Sequence, residues 1–223
     1  MDLENSETNM FNSDEDDEDH VQLTPAEVIE LMEESWSNEK FAPEILPHKF
    51  EIVECLLDQI TSMEGNIRRL NSTDFRKSIH QLEVDRLRFL VSSYLRTRLE
   101  KIECYVTFIL KEEAKRQEKG EDMYLSEQEM KFAKDFSRGL EEYFDNVLSF
   151  YPGLPAENWS NQIIEPNNHS FVFLKSKKDI EGVIIDDGND ADNDLVDFST
   201  GSRMIISYNS VANLVKNGDV HLI

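Results

Sequence analysis

"VDRLRFLVSSYLRTRLEKIE", Val84 to Glu103, decides how this chain folds. Stepping by four and three from His80 selects positions 80, 84, 87, 91, 94, 98, 102, 105 and 109, which share one face of an α-helix. That face reads His, Val, Leu, Val, Tyr, Arg, Ile, Tyr, Ile. The helical period continues without a breaker from about Phe75 to Gln117. Unbroken, such a helix spans about 60 Å, more than a small domain needs. The quoted stretch holds four arginines and a lysine. Arg98 sits inside the apolar row, and Arg88 and Lys101 flank it. Arg86 and Arg96 lie on the outer side, with Glu83 and Glu100 at ion-pairing spacing. Arg98 therefore either snorkels its head to water or meets a carboxylate or helix-terminal carbonyls, within the chain or across an interface.

Upstream, "LTPAEVIELMEESW" predicts a helix start with Thr24 as N-cap, Pro25 at the first helical position and Glu27 closing a capping box. "NEKFAPEILPHKF" breaks that helix at two prolines. A second helix is predicted near Glu51 to Leu70. Downstream of the long helix, a polar loop leads to a fourth, starting at Ser126 with Glu129 in the capping-box position and ending near Phe150. From "YPGLPAENW" onward the pattern changes. Short strands are predicted at 171–175, 182–186, 195–199 and 204–208, followed by a short helix with Gly218 as C-cap and a last strand at "VHLI". The fold class is α+β multidomain. It comprises an acidic disordered tail over 1–20, an all-α helical bundle over 21–150, a linker over 151–168 and a small β-rich domain over 169–223.

The formal net charge is −23, unevenly spread. Residues 1–39 hold 14 acids and residues 179–197 hold 8, with no Lys or Arg in either, leaving 24 acids against 23 bases elsewhere. The body is thus close to neutral and can associate with other proteins without like-charge repulsion. No stretch approaches a membrane span, and the first twenty residues lack the basic and apolar regions of a secretory signal. Cys55 and Cys104 read as two buried thiols of a reducing compartment, and three N-x-S/T sequons as chance matches.

Motifs for catalysis or cofactor binding are missing. No glycine-rich phosphate loop, zinc-protease helix or nucleophile elbow occurs. Asp190, Asp192 and Asp194 alternate as in a calcium loop. Leu195 and Gly201, however, stand where that loop needs glycine and glutamate. No catalytic, cofactor-binding or metal residue is assigned, and an enzyme is not expected. Residues 68–116 carry 12 bases to 7 acids, wrapped around the helix instead of striped, so direct DNA contact is expected to be weak or indirect.

"LTPAEVIELMEESWSNEKFAPEIL", "IHQLEVDRLRFLVSSYLRTRLEKIE" and the terminal "NLVKNGDVHLI" together resemble the Sld-five family of GINS subunits, over about Leu23 to Ile223. The resemblance implies a helical A domain before a β-rich B domain and a non-catalytic subunit of a nuclear heterotetramer with three Psf-type partners. It further implies that the complex joins the MCM ring and the Cdc-forty-five protein in the replicative CMG helicase, with polymerases or fork adaptors as further contacts. Interface candidates are Arg88, Tyr94, Arg98, Lys101, Ile102, Tyr105, Leu222 and Ile223. The alternative is an acidic-tailed chaperone or adaptor for basic proteins such as histones.

Overall fold

The computed structural model describes residues 24–71, 74–150, 163–185 and 194–223. The acidic tail, most of the linker and the acidic loop before Asp194 lie outside the described residues. Four helices come first: α1 (Pro25–Phe41), α2 (Phe50–Arg69), α3 (Phe75–Lys119) and α4 (Glu127–Ser149). Then come β1 (Phe171–Ser176), β2 (Ile180–Ile185), β3 (Asp194–Phe198), β4 (Arg203–Ser207), α5 (Tyr208–Asn217) and β5 (Val220–Leu222).

Local chemistry sets the helix starts as the sequence predicts. Thr24 Oγ1 accepts from the Glu27 N–H while Glu27 reaches back to the Thr24 N–H, and Ser126 and Glu129 repeat the box for α4. Asp74 caps α3 through the Arg76 N–H. The row predicted for α3 is buried at Val84, Leu87, Val91, Tyr94, Arg98 and Ile102. Further on it departs from prediction at one position. Tyr105 has φ −122° and ψ 26°, outside helical geometry, so α3 kinks there. Ile109 is buried as predicted, but Val106 and Glu113 face inward where Tyr105 does not. Two cores adjoin along α3, and Ile102, just before the kink, already belongs to the second. In the first, α3 packs with α1 and α2 around Val28, Met32, Leu56 and Ile60; in the second, with α4 around Leu125 and Ala133. Along α1 and α3 the contacts advance together, Trp36 with Ser93 and Glu39 with Arg98, so the two helices run parallel.

In the β domain, β1 is the central strand of an antiparallel sheet ordered β4-β1-β5, and β2 and β3 form a separate antiparallel pair. The register between Ile180 and Val183 slips by a bulge, and Gly182 in it has φ +71°, a conformation glycine reaches without a Cβ clash. Gly218 ends α5 in the left-handed region, as its C-cap role predicts. The predicted last strand forms: β5 pairs with β1 at Leu174–Leu222, and Val220 and Leu222 are fully buried.

The two halves share interior. Ala42 and Leu46, from the connector between α1 and α2, belong to the β-domain core with Leu174, Phe198, Tyr208 and Leu222. Ile45, between them in sequence, belongs to the α3–α4 core. Asn38 Oδ1 accepts from the buried Leu222 N–H at 2.7 Å, and Ser37 Oγ donates to the Leu222 carbonyl at 2.8 Å. Both cysteines are exposed, which corrects the reading as buried thiols: each lies on the outer side of its helix. Leu222→Ala should cost about 2–5 kcal/mol of stability, because it empties a site closed by both halves; chemical denaturation measures this.

Candidate assembly interface and its polar core

Arg98 is 0% exposed. A guanidinium has five N–H donors, and here all five are used. Nε and Nη2 grip Glu129 at 2.7 and 3.0 Å, Nη1 reaches Glu39 Oε2 at 3.0 Å and the Leu46 carbonyl at 2.7 Å, and Nη2 also donates to the Tyr124 carbonyl at 2.8 Å. Lys101, one turn on, donates to Glu39 Oε1 and the Glu44 carbonyl, both at 2.7 Å. Arg98 and Glu39, fully buried, and Lys101 and Glu129, largely buried, thus form a quartet with zero net charge. Buried charges persist only when paired and hydrogen-bonded in this way.

The pKa shifts follow from that balance. Burial opposes the Arg98 charge, yet its hydrogen bonds to Glu129 and the field of Glu39 outweigh it and raise its pKa further. Burial likewise opposes ionisation of Glu129, but Arg98 and the Ser126 N–H hold that carboxyl below its ordinary range. Burial draws Lys101 below an ordinary lysine, with Glu39 pulling the other way. The Tyr94 phenol is pushed up to about 12 by burial; its oxygen accepts from the Lys49 N–H at 3.2 Å.

The quartet continues into its surroundings. Glu44 accepts from Tyr208 Oη at 2.9 Å and pairs with Lys216 Nζ at 2.7 Å, both from the β domain. Glu113, also buried, accepts from the backbone N–H groups of Tyr124 and Leu125 and pairs with Arg116 at 2.6 Å. The Arg116 guanidinium stacks on the Tyr124 ring, 3.5 Å from its centroid. The Tyr124 carbonyl, so placed, accepts from Arg98 and from the His48 N–H. Glu39, Glu113 and the tie through Glu44 were not foreseen from the sequence. Two of them could have been: Glu39 continues the α1 row of Val28 and Met32, and Glu113 continues the α3 row of Val106 and Ile109.

The interface candidates therefore divide. Tyr94, Arg98, Lys101, Ile102 and Leu222 are committed inside the chain, because internal partners already cover them. Tyr105 is half-buried at the kink. Arg88 and Ile223 are exposed, Arg88 pairing with Glu64 on α2. Arg86 pairs mainly with Glu33 on α1 and only loosely, at 3.9 Å, with Glu83. The expected Arg96–Glu100 pair does not form among the described residues.

Apolar surface is open elsewhere. Phe75, Ile79, Leu82 and Phe89 lie on the side of α3 opposite Val84, and all are exposed. The row by which α4 packs on α3, at Ala133, Phe136 and Leu140, runs on into exposed Tyr143, Val147 and Phe150. Exposed apolar rows of this length mark protein–protein contact surfaces. Among the described residues no group of three or more His, Cys, Asp and Glu converges to hold a metal ion, and no helix is long and apolar enough to cross a membrane.

These features define a class: a helical bundle braced by buried charge, joined to a β domain through a shared core and hydrogen bonds, with exposed apolar helix faces. Sequence comparison makes it specific. Residues 7–148 match the family described as GINS complex protein helical bundle domain, and residues 166–223 match the DNA replication complex GINS protein SLD5 C-terminus. The chain is 41% identical to the human DNA replication complex GINS protein SLD5 over 208 residues, covering 92% of this chain and 93% of the relative. It is 30% identical to the Arabidopsis thaliana protein of that name (92% and 95% covered) and 25% to that of Schizosaccharomyces pombe (84% and 88%). The chain belongs to the SLD5 family of GINS proteins.

Arg98→Ala should destabilise the fold by about 3–5 kcal/mol, because two carboxylates lose their buried cation. Arg98→Lys should recover only part of that, since an ammonium has three donors for five acceptor positions. Glu129 has its folded pKa lowered, so its contribution is complete above the unfolded carboxylate pKa of about 4.3 and is lost as pH falls through the folded value. Urea titrations at stepped pH should show stability falling on acidification below about 4.3, and Glu129→Gln should flatten that slope.

Proposed function

We propose that this chain is a non-catalytic architectural subunit of a GINS complex in DNA replication, and that it works in the nucleus. Its titratable interior groups are spent on internal pairing, which supports a structural role over chemistry of its own. The observation that carries the reading is the pair of exposed apolar rows on α3 and α4 in a chain of this family. Obligate assemblies bury such surfaces. In this reading the chain sits in a heterotetramer with three Psf-type subunits, and through the tetramer it meets the MCM ring, the Cdc-forty-five protein and polymerases or fork adaptors. The chaperone alternative finds no counterpart in the names of the relatives.

Leu82→Glu and Phe150→Glu test this. Both residues are exposed, so the isolated fold should change by no more than about 0.5 kcal/mol. Co-expression with the three Psf-type subunits should give a tetramer with the unaltered chain and a lost or salt-labile one with the double variant. Normal assembly of the variant would overturn the assignment of these faces.

A further inference from the structure

The outer face of the β4-β1-β5 sheet is built of two kinds of rung. Side chains alternate across a strand, so Phe171, Phe173 and Lys175 of β1 share that face. Register places Arg203 of β4 and His221 of β5 on either side of Lys175. The next rung sets Ile205 and Ile223 on either side of Phe173. Phe171 and Phe173 are 75% and 59% exposed, and Ile205 and Ile223 are exposed beside them.

Like charges directly opposite one another destabilise a sheet, and this rung sets Lys175 opposite Arg203, with the His221 imidazole on the other side. Nearby bases are already matched: Lys177 pairs with Glu34 of α1, and Lys178 with Asp219. Lys175 and Arg203 have no carboxylate partner among the described residues. The neighbouring cations are felt: His221 is held below an ordinary histidine, first by burial and then by Lys175, Lys177 and Arg203, with Glu34 opposing. Its Nδ1 has no hydrogen-bond partner.

We propose that this face docks an acidic protein segment, whose carboxylates meet Arg203 and Lys175 and whose apolar anchor covers Phe173, Ile205 and Ile223. The inference rests on the chain acting within a GINS complex, but it concerns a second kind of contact. The cores of permanent interfaces are apolar and depleted in charge, as the exposed α4 row is. A face that joins an apolar rung to an unpaired cationic one suits a partner that is steered and released electrostatically. Single-stranded nucleic acid fits less well. It needs cations spaced along a backbone track, whereas these are gathered in one rung, with aliphatic residues flanking Phe173.

The test uses the assembled tetramer and a fluorescein-labelled probe peptide with one Phe-Leu anchor followed by an Asp/Glu run. Anisotropy should report binding that weakens about tenfold or more from ~0.1 M to ~1 M salt, as the screening length falls from about 10 Å to about 3 Å. Lys175→Glu with Arg203→Glu should abolish binding, and so should Phe173→Ser, while size-exclusion chromatography shows the tetramer intact. Lys175→Ala with Arg203→Ala, which removes the like-charge contact, should melt no lower than the parent and still lose the peptide. Absence of peptide binding, binding untouched by these changes, or binding of oligothymidine in place of the peptide would each overturn the proposal. So would probe binding that appears only after residues 8–20 of this chain are deleted, since the face would then serve the chain's own tail. Failure of the unaltered tetramer to assemble would count against the proposed function instead, and is read separately.

Discussion

Everything in this structure leans on one cation that has no access to water. A guanidinium inside a protein is tolerated only when its charge is neutralised and its donors are occupied. Arg98 meets both conditions by drawing together groups remote in sequence: Glu39 from the end of α1, the Leu46 carbonyl from the connector, and the Tyr124 carbonyl and Glu129 from the start of α4. Each of these is fixed for a reason of its own. Glu129 is the capping-box acid of α4. Tyr124 is held by Glu113. Leu46 is held by its side chain in the β-domain core. The demand of one buried charge therefore ties the helix ends and the connector into a single arrangement.

The connector is the less obvious half of that arrangement. Its prolines end α1 and delay α2, and the segment between them faces two ways. Ala42 and Leu46 complete the β-domain core while Ile45 completes the α3–α4 core. Its polar backbone is satisfied by side chains: the Glu44 carbonyl by Lys101, the Leu46 carbonyl by Arg98 and the Lys49 N–H by Tyr94. This rigidity lets the outer helix faces remain bare. In the proposed assembly an apolar row must keep its shape before its partner arrives, and α4 keeps its own through the anchoring of its first turn and its packing on α3.

Much of this was legible in the sequence. The helical period around Val84–Glu103, the capping boxes at Thr24 and Ser126 and the Gly218 cap are local signals, and local physics decides them. The demand of Arg98 for a partner was legible too, because an arginine on an apolar row is a contradiction that something must resolve. The identity of the partners was less so. Glu39 and Glu113 continue buried rows, but a carboxylate at a row's end reads equally well as solvated. The kink at Tyr105 leaves no breaker residue in the sequence, and it moved the buried face from Tyr105 to Val106. The connector's backbone acceptors are invisible to any reading of side-chain type. The apolar stripe on the far side of α3 was hidden because Arg86 stands within it, and its pairing with Glu33 is a tertiary contact.

The central claim is that Arg98 couples the helical bundle and the β domain into one unit. Amide hydrogen exchange on the full chain carrying Arg98→Met, within its complex, tests this most directly. If the coupling is as described, protection at Leu222 and Ile223 in and beside β5 should fall along with protection in α1 and at the start of α4. The account would be contradicted by exchange that quickens in α1 and α4 while the β5 amides keep their original protection.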